Sequence, residues 1–256
     1  MRPSLRPALI ALLLCGTVGC ATSGGVSNNN NPTKKQEAAR ANTELGQRYM
    51  QQGQLELAME KLTRALEADG NYADAHTVIA VLYERIGNSQ KAGEHYRRAA
   101  QLKPASGAEA NNYGWYLCNN GKPEEAAAYF DRAIADPFYR TPALALGNAG
   151  ICLARAGRYD EAEQKLRVAL EQDQNNTEAL FQMASVLYAR REYFRARAFL
   201  QRYEASAHAR PESLMLGRNI ELQLGNADGA RDYTRRLLQD FPSSQQARML
   251  DAPGTS

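Results

Sequence analysis

Four cysteines and three histidines are the side chains of this chain best suited to covalent, metal or acid–base chemistry. His76, His95 and His208 stand far apart and lack metal-ligand spacing, and no pair of short-spaced Cys is joined by the second Cys or His pair that a zinc site needs. There is no phosphate-binding glycine loop and no serine elbow. The acidic pairs Glu124-Glu125 and Asp160-Glu161 sit where helices should start, and acids there favour the positive end of the helix dipole. No nucleophile, base and orienting group converge, so the chain reads as a non-enzyme with no cofactor, metal or small-molecule substrate. Cys118 and Cys152 are well separated along the chain. They can be bridged, or they can be two buried thiols packing as small hydrophobes. The elements that carry them decide which.

Composition bounds those elements. The 256 residues are 44% hydrophobic and 8% aromatic, enough for a core and too apolar for wholesale disorder. The 31 Lys+Arg nearly balance 28 Asp+Glu. A nucleic-acid partner would require a clustered basic excess, so none is expected.

The first twenty residues, MRPSLRPALIALLLCGTVGC, have the layout of an export signal. Arg2 and Arg6 form a basic start and Ala8 to Cys15 an apolar run too short to span a bilayer. Thr17-Val18-Gly19-Cys20 resembles the bacterial lipobox, with Thr17 where Leu is preferred, which makes Cys20 the lipidated first residue of the mature chain. Removing residues 1–19 takes Arg2 and Arg6 away and leaves 29 basic against 28 acidic residues. Residues 20–38 then read as a polar tether, rich in Gly, Ser and Asn, with an r.m.s. reach of about 20–25 Å. Several acyl chains on one Cys would hold such a protein firmly to a membrane. Ala21 after the Cys resembles lipoproteins sorted to the outer membrane.

From residue 39 to 244 the sequence repeats. Ala92, Tyr96 and Ala99 recur one period earlier as Ala58, Leu62 and Ala65, and one period later as Ala126, Phe130 and Ala133. After a two-residue slip near Thr141-Pro142 the series resumes with Ala162, Leu166 and Ala169, then Ala196 and Leu200. A sixth unit keeps Ala230 and Leu237 but has Gly217, Arg218 and Glu221 at positions for other residue types. Gly53, Gly87, Gly121, Gly157 and Gly225 mark the turns inside units. The pattern resembles tetratricopeptide repeats, with two antiparallel helices in each period of about 34 residues. It implies an all-α, right-handed superhelical solenoid of six units, the sixth a cap, with residues 245–256 as a tail.

In such a solenoid the first helix of each unit lines a concave, peptide-binding face. Asn112, Trp115, Asn119, Asn148, Ile151, Arg155, Phe181 and Tyr188 are the candidate lining residues. The two equivalent asparagines, Asn112 and Asn148, can bond the backbone of a bound strand or bridge neighbouring helices. Cys118 and Cys152 fall on adjacent first helices, which favours a bridge in an oxidising compartment. Its loop would contribute roughly 3–4 kcal/mol.

The stretch NNYGWYLCNNGKPEEAAAYFDRAIADPFYRTPALALGNAGICLARAGRYDEAE, with one Cys per unit, is similar to the type IV pilus biogenesis/stability lipoproteins, the PilF/PilW group of pilotins. The resemblance implies an outer-membrane lipoprotein of a Gram-negative bacterium, facing the periplasm. It further implies binding of the pilus secretin and promotion of its outer-membrane localisation and multimerisation, on which twitching motility depends. A generic lipoprotein scaffold for another envelope machine shares the anchor and the repeats, but not that block.

Overall fold

A computed structural model describes residues 33–251. The expected signal, Cys20 and most of the expected tether lie outside the described residues. Within them all regular structure is helical, and twelve helices form six antiparallel pairs. These are α1 (Lys34–Gln51) with α2 (Leu55–Ala68), α3 (Ala73–Arg85) with α4 (Ser89–Leu102), and α5 (Gly107–Asn119) with α6 (Pro123–Ala135). They continue with α7 (Pro142–Arg155) and α8 (Tyr159–Gln172), α9 (Thr177–Ala189) and α10 (Tyr193–Ser206), and α11 (Pro211–Gln223) and α12 (Ala227–Asp240). A short α13 (Gln245–Asp251) follows. Each odd helix packs on its own partner and, from α3 on, against the second helix of the preceding pair, the stacking of a tetratricopeptide solenoid.

The repeated residues form the core. Ala58, Ala92, Ala126, Ala162, Ala196 and Ala230 are all buried, as are Leu62, Tyr96, Phe130, Leu166 and Leu200 one turn later. Burying each large side chain contributes about 1.5–3 kcal/mol. Alanine lets the two helices of a pair approach, and glycine brings them closer still. A Cβ on Gly150 would fall 2.6 Å from Leu166 Cγ.

Every pair closes through the same turn. In the first, Gly53 N–H donates to Met50 C=O and Gln54 N–H to Tyr49 C=O, a Schellman ending that needs positive φ at the middle residue. The five turn glycines have φ of +74° to +79°. The fifth turn keeps the same two hydrogen bonds around Arg191, at φ 63°.

Two boundaries differ from the sequence reading. Helix α1 starts at Lys34 rather than 39, because Thr33 caps it: Thr33 Oγ1 accepts from Gln36 N–H, and the Gln36 side chain accepts from Thr33 N–H. Residues 245–251 are helical rather than tail. Ala247 is buried with Leu214 and Leu237, so α13 covers apolar surface that the last pair would otherwise expose. The irregular sixth unit is compensated by its own residues and by its neighbour. The Tyr233 ring fills the space over Gly217, and buried Glu221 accepts from Asn226 Nδ2 at 2.8 Å and faces Arg197.

Candidate functional site

The faces of α5 and α7 divide cleanly. On α5, Ala110, Tyr113, Gly114 and Leu117 turn toward α6 and the core, which leaves Asn112, Trp115 and Asn119 on the other face. On α7, Leu146, Ala149, Gly150 and Leu153 do the same, leaving Asn148 and Arg155. Stacking the two units then assembles a cluster. Arg155 Nη1 donates to Asn119 Oδ1 at 2.7 Å, and its guanidinium lies 5.2 Å from the centre of the Trp115 ring. That is cation–π distance. Among the described residues no carboxylate pairs with Arg155, so its charge remains open to an anionic group.

Beneath this cluster the structure joins Cys118 to Cys152 as a disulfide, with Cα atoms 5.7 Å apart and both residues buried. The crosslink ties α5 to α7 under the residues that would meet a ligand. Beside it, Asn148 Nδ2 donates to Asn111 Oδ1 at 3.0 Å. Asn148 therefore bridges α7 to α5 through the buried Asn111, while the other candidate asparagine, Asn112, is half-buried.

The other expected residues are dispersed. Ile151 is only 6% exposed and serves the core rather than the groove surface. Phe181 is half-buried against the Tyr203 ring and under the Arg210 guanidinium, 4.6 Å from its centroid. Tyr188 packs on Tyr193 across the α9–α10 turn. Trp115, Asn119 and Arg155 come together; Phe181 and Tyr188 belong to separate packing in unit five.

One groove residue escaped the sequence reading although a signal existed. Arg85 occupies the place in unit two that Asn119 and Arg155 take in units three and four. Its Nη1 donates to Met50 C=O at 2.6 Å, so it too reaches back one unit. Val81 and Leu144, each exposed by more than two-fifths, add apolar surface on first helices.

Two polar clusters lie elsewhere. His76 Nδ1 and His95 Nδ1 are 2.8 Å apart, and His76 Nε2 meets Gly70 C=O at 3.1 Å. Donation to that carbonyl leaves His76 Nδ1 to accept from His95. Burial lowers both pKa values, and the neighbouring Arg98 for His76 and Lys91 for His95 act the same way. Buried Glu163 on α8 gathers Arg167, Arg190 and Arg195. Burial pushes its pKa up, but the guanidiniums outweigh this and hold it below the usual value. Among the described residues no group of three His, Cys, Asp or Glu could hold a metal, and no helix is long and apolar enough to cross a membrane.

Tetratricopeptide-repeat family models match residues 43–107, 114–177, 153–220 and 213–244. The crystal structure of PilW, described as a widely conserved type IV pilus biogenesis factor, superposes with a TM-score of 0.80 at 32% identity. It covers 84% of this chain and 98% of that one. The chain belongs to the PilF/PilW family of tetratricopeptide-repeat proteins. The type IV pilus assembly protein PilF of Pseudomonas aeruginosa is 29% identical over 249 residues, 97% of this chain and 99% of that protein. The Pseudomonas aeruginosa PilF structure matches with a TM-score of 0.75 at 28% identity, over 86% of this chain and 99% of that one. The fold and these PilF/PilW relatives are those of a repeat scaffold.

Proposed function

We propose that this chain is a type IV pilus biogenesis protein that acts as a pilotin, anchored to the outer membrane through Cys20 and facing the periplasm. Its concave face binds a segment of the pilus secretin subunit. The observation that carries the binding role is the cluster of Trp115, Asn119 and Arg155, an aromatic face, an amide and an open cation held together by stacking of units three and four. Such a surface suits an extended segment bearing an apolar side chain and an anionic group. Type IV pilus relatives that align over nearly the whole chain support the cellular setting.

Mechanism follows from geometry and tethering. First helices α5 and α7 pack on one another, and we propose that the Cys118–Cys152 bond stays oxidised in the envelope and keeps the two halves of the cluster in register. The acyl chains confine the groove to the membrane. A bound secretin segment is then concentrated there, and ring assembly becomes faster without any bond being made or broken by this protein.

The test is secretin pull-down and secretin multimer levels on gels. Trp115→Ala should weaken pull-down about tenfold while the melting temperature stays within a few degrees of wild type. Cys20→Ser should leave a folded chain that still binds secretin, while multimers in the outer membrane fall. Undiminished pull-down by Trp115→Ala removes the cluster from the site. Normal multimers with Cys20→Ser refute the anchoring step.

A further inference from the structure

The two-residue slip in the repeat falls in the α6–α7 connection, and the concave cluster makes no use of it. Asp136 pins this loop. Its Oδ2 accepts from Gly107 N–H at 2.7 Å and its Oδ1 from Phe138 N–H at 2.9 Å. Tyr139 closes over Gly107, where a Cβ would lie 2.7 Å from Tyr139 Cβ. Between these two fixed points Phe138 is 89% exposed.

The same aspartate turn recurs at two equivalent connections and provides an internal control. Asp69 Oδ1 accepts from Asn71 N–H at 2.9 Å, and Asp173 Oδ1 from Asn175 N–H at 3.1 Å. In both, the residue two places after the aspartate is an exposed asparagine. The turn therefore does not require phenylalanine. A ring held out by a pinned loop is preset to enter an apolar phase, and removing it from water there is favourable.

We infer that Phe138 is a membrane contact, laid into the interface of the bilayer to which the chain is tethered; this rests on lipidation of Cys20. Odd helices all run the same way, so α1 and α7 begin on one edge of the array. The chain enters that edge at Thr33. Residues 20–32 can span at most about 45 Å. The starts of α1 and α7 are three units apart, roughly 30 Å at 8–10 Å between packed helices. Anchor and ring thus belong to the same edge, and the anchor reaches the plane in which the ring would sit. Lys34, Lys35 and Arg140 are exposed on this edge and suit anionic headgroups. One phenylalanine binds a bilayer weakly, but the tether supplies the local concentration, and the contact fixes which edge of the solenoid faces the membrane.

Phe138→Trp in the lipidated full-length chain tests this, in phosphatidylethanolamine/phosphatidylglycerol vesicles carrying brominated acyl chains. Wild type, whose only tryptophan is Trp115, is the reference. The variant should show at least twice the fractional quenching of wild type. Flotation of the same samples reads the anchor separately. Quenching no greater than wild type in a chain that floats overturns the membrane contact and leaves the anchor standing. A chain that does not float overturns both. If the introduced indole shifts its emission on adding secretin and not on adding vesicles, the ring belongs to a protein pocket and the inference fails. Phe138→Asn, copying the two equivalent turns, should fold normally and lose the fixed edge orientation. Unchanged accessibility of the Arg140 edge to soluble protease in that variant, compared with membrane-bound wild type, likewise overturns it.

Discussion

Opening the Cys118–Cys152 bond should cost the array about 3–4 kcal/mol of stability. The bond spans 34 residues, for which the chain-entropy relation gives about 3.8 kcal/mol at 25 °C. Reduction is the cleanest perturbation, since both thiols remain in their buried places and only the crosslink is lost. Replacing both with alanine adds a packing loss of about 1 kcal/mol. For a chain of this size each kcal/mol moves the melting midpoint by about 2–4 °C, so reduction should lower it by roughly 6–16 °C. The assay is thermal and guanidinium unfolding followed by circular dichroism. Oxidised wild type, reduced wild type and the double variant Cys118→Ala/Cys152→Ala are compared, with thiol state verified by alkylation mass. The reduced protein and the double variant should lie close together, both well below the oxidised protein. Coincident unfolding of oxidised and reduced wild type would contradict the loop-closure account, because an unfolded chain freed of its closed loop must gain entropy.

Glu163→Gln should destabilise by about 2–3 kcal/mol in urea, since Arg167, Arg190 and Arg195 lose the buried charge that they surround. Because the folded pKa of Glu163 is lowered, its contribution is full above the unfolded carboxylate pKa of about 4.3 and is lost as pH falls through the lower folded value; the variant should flatten the acid limb of the stability profile. His76 and His95 also have lowered folded pKa values, but here the unfolded chain takes up protons first. Stability should therefore be full above about pH 7 and decline as pH drops below the unfolded histidine value of about 6.5, a slope that His95→Gln should roughly halve and whose persistence in that variant would assign it to other groups. Arg191→Gly should raise stability by about 0.5–1 kcal/mol, by relieving a positive φ of 63° on a side chain with a Cβ. A loss in the same unfolding assay would mean that the Arg191 side chain holds more than its backbone suggests.

The core was legible in the sequence because it is periodic. Ala58, Ala92 and Ala126 recur at one spacing, and that spacing can bury them only between paired helices. The candidate cluster was legible in part. Their places on the first helices set Trp115, Asn119 and Arg155 away from the core, but their mutual contact depends on how far unit four is displaced over unit three, and no local pattern encodes that displacement. The same displacement pairs Asn148 with Asn111, and it sinks Ile151 into the core. Phe181 and Tyr188 show the limit of position-based reading, since their surroundings are set by Arg210 and Tyr193 arriving from other elements.

The sequence by itself determined the helical pairs, the turn glycines and the register of six units, because each rests on contacts within a single repeat unit or with the next. Tertiary structure alone decided what the irregularities do. Tyr233 fills the space over Gly217, α13 closes the end of the array, and the turn pinned by Asp136 sets Phe138 out in solvent. A repeat unit specifies its own fold locally, whereas a departure from the repeat acquires meaning only from the neighbours that pack against it, and those are fixed by the stacking of the whole array.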